Sequence, residues 1–277
     1  MFAPEDRLPA VLGVIGAARR RLLLSLFRCD DFHVLDALAA ALQRGVEVDV
    51  LVTPRAKGWT KRLRELWDVL EGMGAALHRY ANPVVKYHAK YILADDGPAL
   101  VASLNFTRKC FASTIDFLVT TNDPDVVKGL RTIFSVDTGR PGRARARRFG
   151  RRLIAGPEDA RREFTRLLAG ARRSIAIADP KLTDPAILDL LKAKRDAGVA
   201  VTVLGPERTG GLVPHGKMII VDHSTAVIGS MSLSALSLDF RREVAILVRD
   251  RALVGEMQAL FDRLAARPAA ARGRPVR

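Results

Sequence analysis

Cysteine is nearly absent. Cys29 and Cys110 are the only two in 277 residues, and they show no paired spacing, so a disulfide framework is excluded and a reducing cytoplasm is the expected compartment. Aromatic residues are also few, at 6%, which disfavours a surface built to stack nucleic-acid bases. No apolar run approaches the roughly 20 residues of a membrane-spanning helix. Met1 to Ala10 carries acidic residues and two prolines rather than a basic stretch followed by an apolar one, so no secretory signal is expected. Negative charge is the last scarcity. Against 45 lysines and arginines stand 30 acidic residues, a net charge of +15 with an isoelectric point near 10.6. That balance favours an anionic partner without choosing between membrane and nucleic acid.

What is present is a repeated pattern. His88-x-Lys90, Asp95, Ser103 and Asn105 return as His215-x-Lys217, Asp222, Ser230 and Ser232, with Gly229 before the second serine and Ala102 before the first. A carboxylate follows each histidine by 28 residues, Asp116 in the first copy and Glu243 in the second. The apolar runs Val84 to Ala94 and Met218 to Val221 read as buried strands. Side chains two apart on a strand share a face, which points His88 with Lys90 and His215 with Lys217. Asp95 and Asp222 lie an odd number of residues from their histidines and read as structural ion-pair or turn residues.

These residue types suit attack on a phosphodiester. A neutral imidazole is a nucleophile near pH 7, and a protonated one is an acid for the departing alkoxide. Two ammonium groups offset charge on the non-bridging oxygens, and Ser103, Asn105, Ser230 and Ser232 offer further donors to the phosphate. Asp116 and Glu243 are expected to accept the second ring N–H of a histidine and so fix its tautomer. With lysines supplying the positive charge, the pattern calls for no metal and no cofactor.

The paired motifs resemble the signature of the phospholipase D superfamily, His-x-Lys-(x)4-Asp followed by Gly-Ser-x-Asn, over nearly the whole chain. The resemblance implies a covalent phosphohistidine intermediate discharged by water or an alcohol, and a supporting carboxylate downstream of each histidine. It also implies His88 as nucleophile and His215 as general acid, with Glu243 serving His215 and Asp116 serving His88. Like lipid-active members of that superfamily, including cardiolipin synthase-like proteins, the chain holds both motifs. The implied substrate is therefore a phospholipid whose phosphatidyl group is hydrolysed or transferred. The alternatives are a nuclease acting on DNA or RNA and a non-catalytic anion-binding module. Three positions depart from the pattern: Ala102 for Gly, Asp116 for Glu and Ser232 for Asn.

The halves match beyond the motifs. A shift of 153 superposes Pro4-Glu5-Asp6 on Pro157-Glu158-Asp159 and Val50-Leu51 on Val203-Leu204. The offset then falls to 127 at the histidines, so the first half carries 26 more residues between Val52 and His88. Each half reads helix, strand, helix, strand, then motif strands. The predicted fold is α/β: two similar α/β/α halves, 1–138 and 154–266, related by a pseudo-two-fold axis, with one active site at their interface. Helices are predicted over 5–18, 33–43, 158–169 and 184–197. Leu63, Leu66, Trp67, Leu70 and Met73 form a helical stripe in the extra segment, while Trp59, among basic residues, is expected either at the mouth of the site or as an exposed loop residue with no role. An arginine-rich linker spans 139–153 and a basic tail 267–277. A site complete within one chain is sufficient in a monomer, located in the cytoplasm and, for a lipid substrate, peripheral on the inner membrane face.

Overall fold

A computed structural model describes residues 4–139, 149–208 and 211–266. The first half runs α1 (Pro4–Ala17), β1 (Arg21–Leu26), α2 (Phe32–Gln43), β2 (Glu47–Val52), α3 (Thr60–Gly72) and β3 (Ala76–Arg79). It continues with β4 (Lys86–Tyr87), β5 (Tyr91–Ala94), β6 (Ala99–Ala102), α4 (Arg108–Ala112), β7 (Thr114–Ile115), β8 (Leu118–Thr121) and α5 (Pro124–Asp137). The second half opens with β9 (Leu153–Ala155), α6 (Ala160–Ala169), β10 (Ser174–Ala178), α7 (Pro185–Asp196), β11 (Ala200–Leu204) and β12 (Val213–Pro214). It ends with β13 (Lys217–Val221), β14 (Thr225–Gly229), α8 (Ala235–Phe240), β15 (Arg241–Arg242), β16 (Val244–Val248) and α9 (Arg251–Ala266).

Each half holds a six-stranded sheet, ordered β3-β2-β1-β5-β6-β8 and β11-β10-β13-β14-β16-β9. Removing β3 and β9 leaves the same five-strand order in both. The extra residues of the first half are thus accounted for by α3 and β3, the latter extending the parallel run β1-β2. Local signals recur with the duplication. Asp31 caps α2 by accepting the His33 amide, and Asp184 caps α7 by accepting the Ile187 amide.

Strand alternation separates two environments. Leu22, Leu24 and Leu26 of β1 pack with α1 and α2, whereas Leu23 enters the core shared with the second sheet. Ile175 and Ile177 of β10 pack outward on α6 and α7, while Ala176 and Ala178 join that shared core. Each fully buried leucine or isoleucine stabilises by about 1.5–3 kcal/mol. The shared core also takes Leu130 and Phe134 from α5 and Met257 and Phe261 from α9, so the halves are joined by an apolar interior that brings their motif strands together.

Several expectations change in detail. In the stripe on α3, Leu63, Leu66 and Leu70 are buried, whereas Trp67 is only partly so, with Arg79 over its ring at 4.7 Å. His78 lies in β3 with Nε2 2.7 Å from Asp49, which also binds Arg21. Most of the arginine run, from Arg140 to Arg148, and the tail 267–277 lie outside the described residues. Arg152 is described and pairs with Asp123 at 2.7 Å. Among the described residues no helix is long and apolar enough to cross a membrane.

Candidate active site

The run from Val84 to Ala94 is not one strand. It breaks at residues 88–90, because Lys86 and Tyr87 leave their own sheet to pair in parallel with Arg241 and Arg242 of the other half. Val213 and Pro214 do the reciprocal thing, pairing with Thr114 and Ile115. The His88 amide then donates to the Arg242 carbonyl at 2.9 Å, and the His215 amide to the Ile115 carbonyl at 3.3 Å. Each histidine is thereby laid beside the residue that follows in the partner strand, which is the opposite half's carboxylate.

The carboxylates are therefore crossed, a correction to the pairing within each half. His88 Nδ1 lies 2.5 Å from Glu243 Oε1, and His215 Nδ1 lies 2.9 Å from both oxygens of Asp116. The cause is tertiary: two short interhalf ribbons, rather than distance along the chain, decide which strand runs beside which. Both carboxylates are completely buried, while the histidine side chains retain 13% and 28% exposure. With Nδ1 engaged in each ring, Nε2 is the atom left for a substrate.

Lys90 and Lys217 are buried beside them. Lys90 Nζ donates to the carbonyl of His88 at 2.6 Å, and Lys217 Nζ to that of His215 at 2.5 Å. Each lysine thus meets its own histidine although 88–90 is not strand.

The four donor residues divide. Ser103 Oγ donates to Asp116 Oδ1 at 2.6 Å and accepts the Phe117 amide at 2.9 Å, and Ser103 is fully buried. Ser230 is equally buried, and its hydroxyl exchanges hydrogen bonds with the backbone of Val244. These two hydroxyls, expected from sequence as phosphate donors, engage Asp116 and the Val244 backbone. Asn105 Oδ1 is buried without a partner, so the Asn105 amide keeps unused capacity. Ser232 is buried against Asp179, whose Oδ2 takes the Leu233 amide at 2.6 Å. Asp95 and Asp222 stand apart from the site, in turns with φ of 44° and 53°. Asp95 Oδ1 accepts the Arg21 amide at 2.7 Å and Asp222 Oδ1 the Ser174 amide at 2.9 Å, tying those turns to the starts of β1 and β10.

Sequence reasoning missed the residues that hold the carboxylates. Thr114 Oγ1 donates to Asp116 Oδ2 at 2.6 Å, and Ser237 Oγ donates to Glu243 Oε2. Arg7, buried on α1, donates from Nη1 to the carbonyls of Cys110 at 2.9 Å and Thr114 at 2.7 Å, anchoring the segment that presents Asp116. The signal for the hydroxyls was position beside the carboxylate, since Thr114 is two residues from Asp116. Arg7 carried no local signal, because its partners lie more than 100 positions away.

The glycine departure has a spatial cause. A Cβ on Gly229 would lie 2.3 Å from the Val244 carbonyl oxygen, which no side chain tolerates. At the equivalent Ala102, paired with Leu118, the methyl group is accommodated and fully buried.

Electrostatics distinguish the two pairs. Burial holds His88 well below its usual 6.5, reinforced by Lys90, Lys217 and Arg241. Burial also pushes Glu243 up to about 7, which weakens the negative charge it can set against those cations. His215 is lowered too, by burial, but Asp116 opposes the shift. Burial pushes Asp116 up, yet His215, Lys217 and Ser103 outweigh it and leave that carboxyl below its ordinary value. Cys110 sits beside this pair, its ligand atom and those of Asp116 and His215 all within 4.8 Å. Burial raises the Cys110 thiol, so it stays protonated and offers no thiolate.

The family described as "Cardiolipin synthase, PLD-like domain" matches residues 11–138 and 207–265. Cardiolipin synthase B of Escherichia coli (strain K12) is 25% identical over 314 residues, covering 89% of this chain and 75% of that protein. Among solved structures, polyphosphate kinase from Porphyromonas gingivalis superposes with a TM-score of 0.76 at 20% identity, over 94% of this chain. This chain spans only 45% of that kinase. Phosphatidylserine synthase from Haemophilus influenzae gives a TM-score of 0.72 at 10% identity, over 95% of this chain and 85% of that one. At such identities the structural likeness concerns the fold. The family match covers both histidine motifs and most of the chain, and the chain belongs to the phospholipase D superfamily, in its cardiolipin synthase-like branch of PLD-like domains.

Proposed function

We propose that the protein is a metal-independent phosphodiesterase of phospholipase D type that cleaves or transfers the phosphatidyl group of phospholipids. The observation that carries this is the crossed pairing of two histidines with two buried carboxylates beside two buried lysines. The lysine ammonium groups neutralise the non-bridging oxygens, a role that other enzymes give to a cation. The electrostatic asymmetry supports His88 as nucleophile, since its lowered basicity keeps it neutral. His215 beside the ionised Asp116 is the better proton carrier.

In the first step His88 Nε2 bonds to phosphorus, the bond from phosphorus to the leaving oxygen breaks, and His215 gives that oxygen its Nε2 proton. In the second, water or an alcohol attacks phosphorus while His215 takes its proton, and the nitrogen–phosphorus bond breaks. His88 leaves as neutral imidazole and His215 is again protonated, so atoms and charge balance. The cardiolipin synthase-like relatives favour a lipid substrate, met peripherally at a membrane surface. Nuclease activity on DNA or RNA is the second reading, favoured by the net charge of +15.

The test is to incubate purified protein with mixed phospholipids, single-stranded DNA and RNA in excess chelator. Cleavage or exchange of phospholipid headgroups alone is the expected result. Nucleic-acid cleavage alone would transfer the activity to the second reading, and dependence on one specific metal would overturn the mechanism.

A further inference from the structure

The duplication places a second pair of cations at the site. Arg28 follows β1 and Lys181 follows β10, 153 positions apart, the shift that also relates the helix caps Asp31 and Asp184. Both loops are tied to the residue just after a motif amide or hydroxyl. Phe106, which follows Asn105, donates its amide to the Arg28 carbonyl at 3.1 Å and accepts the Asp30 amide at 3.2 Å. Leu233, which follows Ser232, donates to Asp179 at 2.6 Å and accepts the Thr183 amide at 3.0 Å. Each cation therefore borders the site on its own half.

Arg28 packs on the ring that borders His88. The Phe27 ring meets His88 edge-on at 4.6 Å, and the Arg28 guanidinium lies 5.2 Å from that ring and 5.3 Å from the Trp59 ring. Its Nη2 donates to the Lys57 carbonyl at 2.8 Å, but its Nε is buried without a partner. Among the described residues no carboxylate pairs with Arg28 or Lys181, whereas Arg21, Arg152, Arg161 and Arg242 all have one. Burial lowers Arg28. Burial and the repulsion of Lys217 and Arg241 lower Lys181. Both shifts describe positive charge that an incoming anion would relieve.

Lys90 and Lys217 already serve the reacting phosphate, so these outer cations are surplus to a single diester. We propose that Arg28 and Lys181 form a second-anion subsite flanking the reacting phosphate, for substrates that carry another phosphate group next to the scissile diester. Arg28 supplies the planar fork that grips phosphate oxygens, and Lys181 supplies a mobile point charge. The inference deepens the phosphodiesterase reading and rests on it for the location of the reacting phosphate.

Calorimetric titration of the full chain with inorganic orthophosphate and pyrophosphate tests the subsite without requiring turnover. The wild type should bind pyrophosphate about tenfold more tightly than orthophosphate, the factor expected of one added charge-assisted contact. Arg28→Gln with Lys181→Met should abolish that preference and leave orthophosphate affinity within about twofold. Lys181→Met alone should reduce the preference independently of any packing change at Arg28. An undiminished preference in the double variant, or equal weakening of both probes, would overturn the subsite. In turnover, KM for cardiolipin and for a 5′-phosphorylated dinucleotide separates lipid from nucleotide sources of the second phosphate. Whichever is cleaved should show a KM raised about tenfold in the double variant, with kcat for bis(4-nitrophenyl) phosphate unchanged. If no diester is cleaved yet the pyrophosphate preference behaves as stated, the phosphodiesterase reading fails and the subsite stands.

Discussion

His88 and Glu243 are 155 positions apart, yet the imidazole Nδ1 of one lies 2.5 Å from a carboxylate oxygen of the other. His215 and Asp116 repeat the contact in the opposite sense at 2.9 Å. Each half thus supplies the histidine of one pair and the carboxylate of the other, and neither half contains a complete histidine–carboxylate unit. Folding of the interhalf ribbons β4–β15 and β7–β12 is therefore a precondition for a working site.

Crossing makes a specific spectroscopic prediction. Glu243→Gln should perturb the ring resonances and titration of His88, and Asp116→Asn those of His215, in histidine nitrogen NMR. Each substitution should lower kcat about 10–100-fold, as loss of a histidine's supporting partner does elsewhere. Perturbation of His215 by Glu243→Gln, with His88 unmoved, would refute the crossed arrangement.

The lysines should act on the transition state. Lys90→Met and Lys217→Met should each reduce kcat by about 10²–10³-fold, the range for removing one charge-stabilising donor. Methionine fills the same buried volume, so melting temperatures should hold. A raised KM with kcat preserved would instead assign the lysines to ground-state binding.

The activity should peak on the acid side of neutrality. His88 must be neutral, and its value lies well below 6.5, which sets the rising limb at low pH. His215 must be protonated, and its value lies below 6.5 by less, which sets the falling limb. The sign for each follows from burial, which favours the uncharged imidazole. A profile of kcat/KM against pH should therefore be a bell centred below pH 6.5. A maximum above pH 7.5 would contradict the assignment.

Close backbone approach should make two glycines intolerant. A Cβ on Gly229 would lie 2.3 Å from the Val244 carbonyl, and one on Gly216 would lie 2.8 Å from the Asp116 Cα. Gly229→Ala and Gly216→Ala should each destabilise by about 1–3 kcal/mol through overpacking, lowering Tm by roughly 2–4 °C per kcal/mol. Gly216→Ala should additionally reduce activity, since it pushes on the backbone of Asp116 itself. Ala102→Gly, where a methyl already fits, should change Tm far less.

Much of this protein is legible along the chain. The helix–strand order of each half, the stripe Leu63, Leu66 and Leu70 and the duplicated offset are local or periodic signals, and the α/β halves with the extra α3 follow from them, whereas β3 carried no such signal. The histidine and lysine pairs were equally visible, because two residues apart is a distance that sequence states directly. Other features belong to tertiary structure alone. Which carboxylate serves which histidine depends on two-residue ribbons between strands 99 and 155 positions apart. The same holds for the contacts of the Ser103 and Ser230 hydroxyls, since their partners Asp116 and Val244 lie 13 and 14 positions away. Arg7 binds the carbonyls of Cys110 and Thr114, a contact that no periodicity encodes. Sequence determines which groups the site can use. Packing of the two sheets on one shared core determines which of them touch, because hydrogen bonds of about 3 Å are set by where the backbone lies and not by order along it.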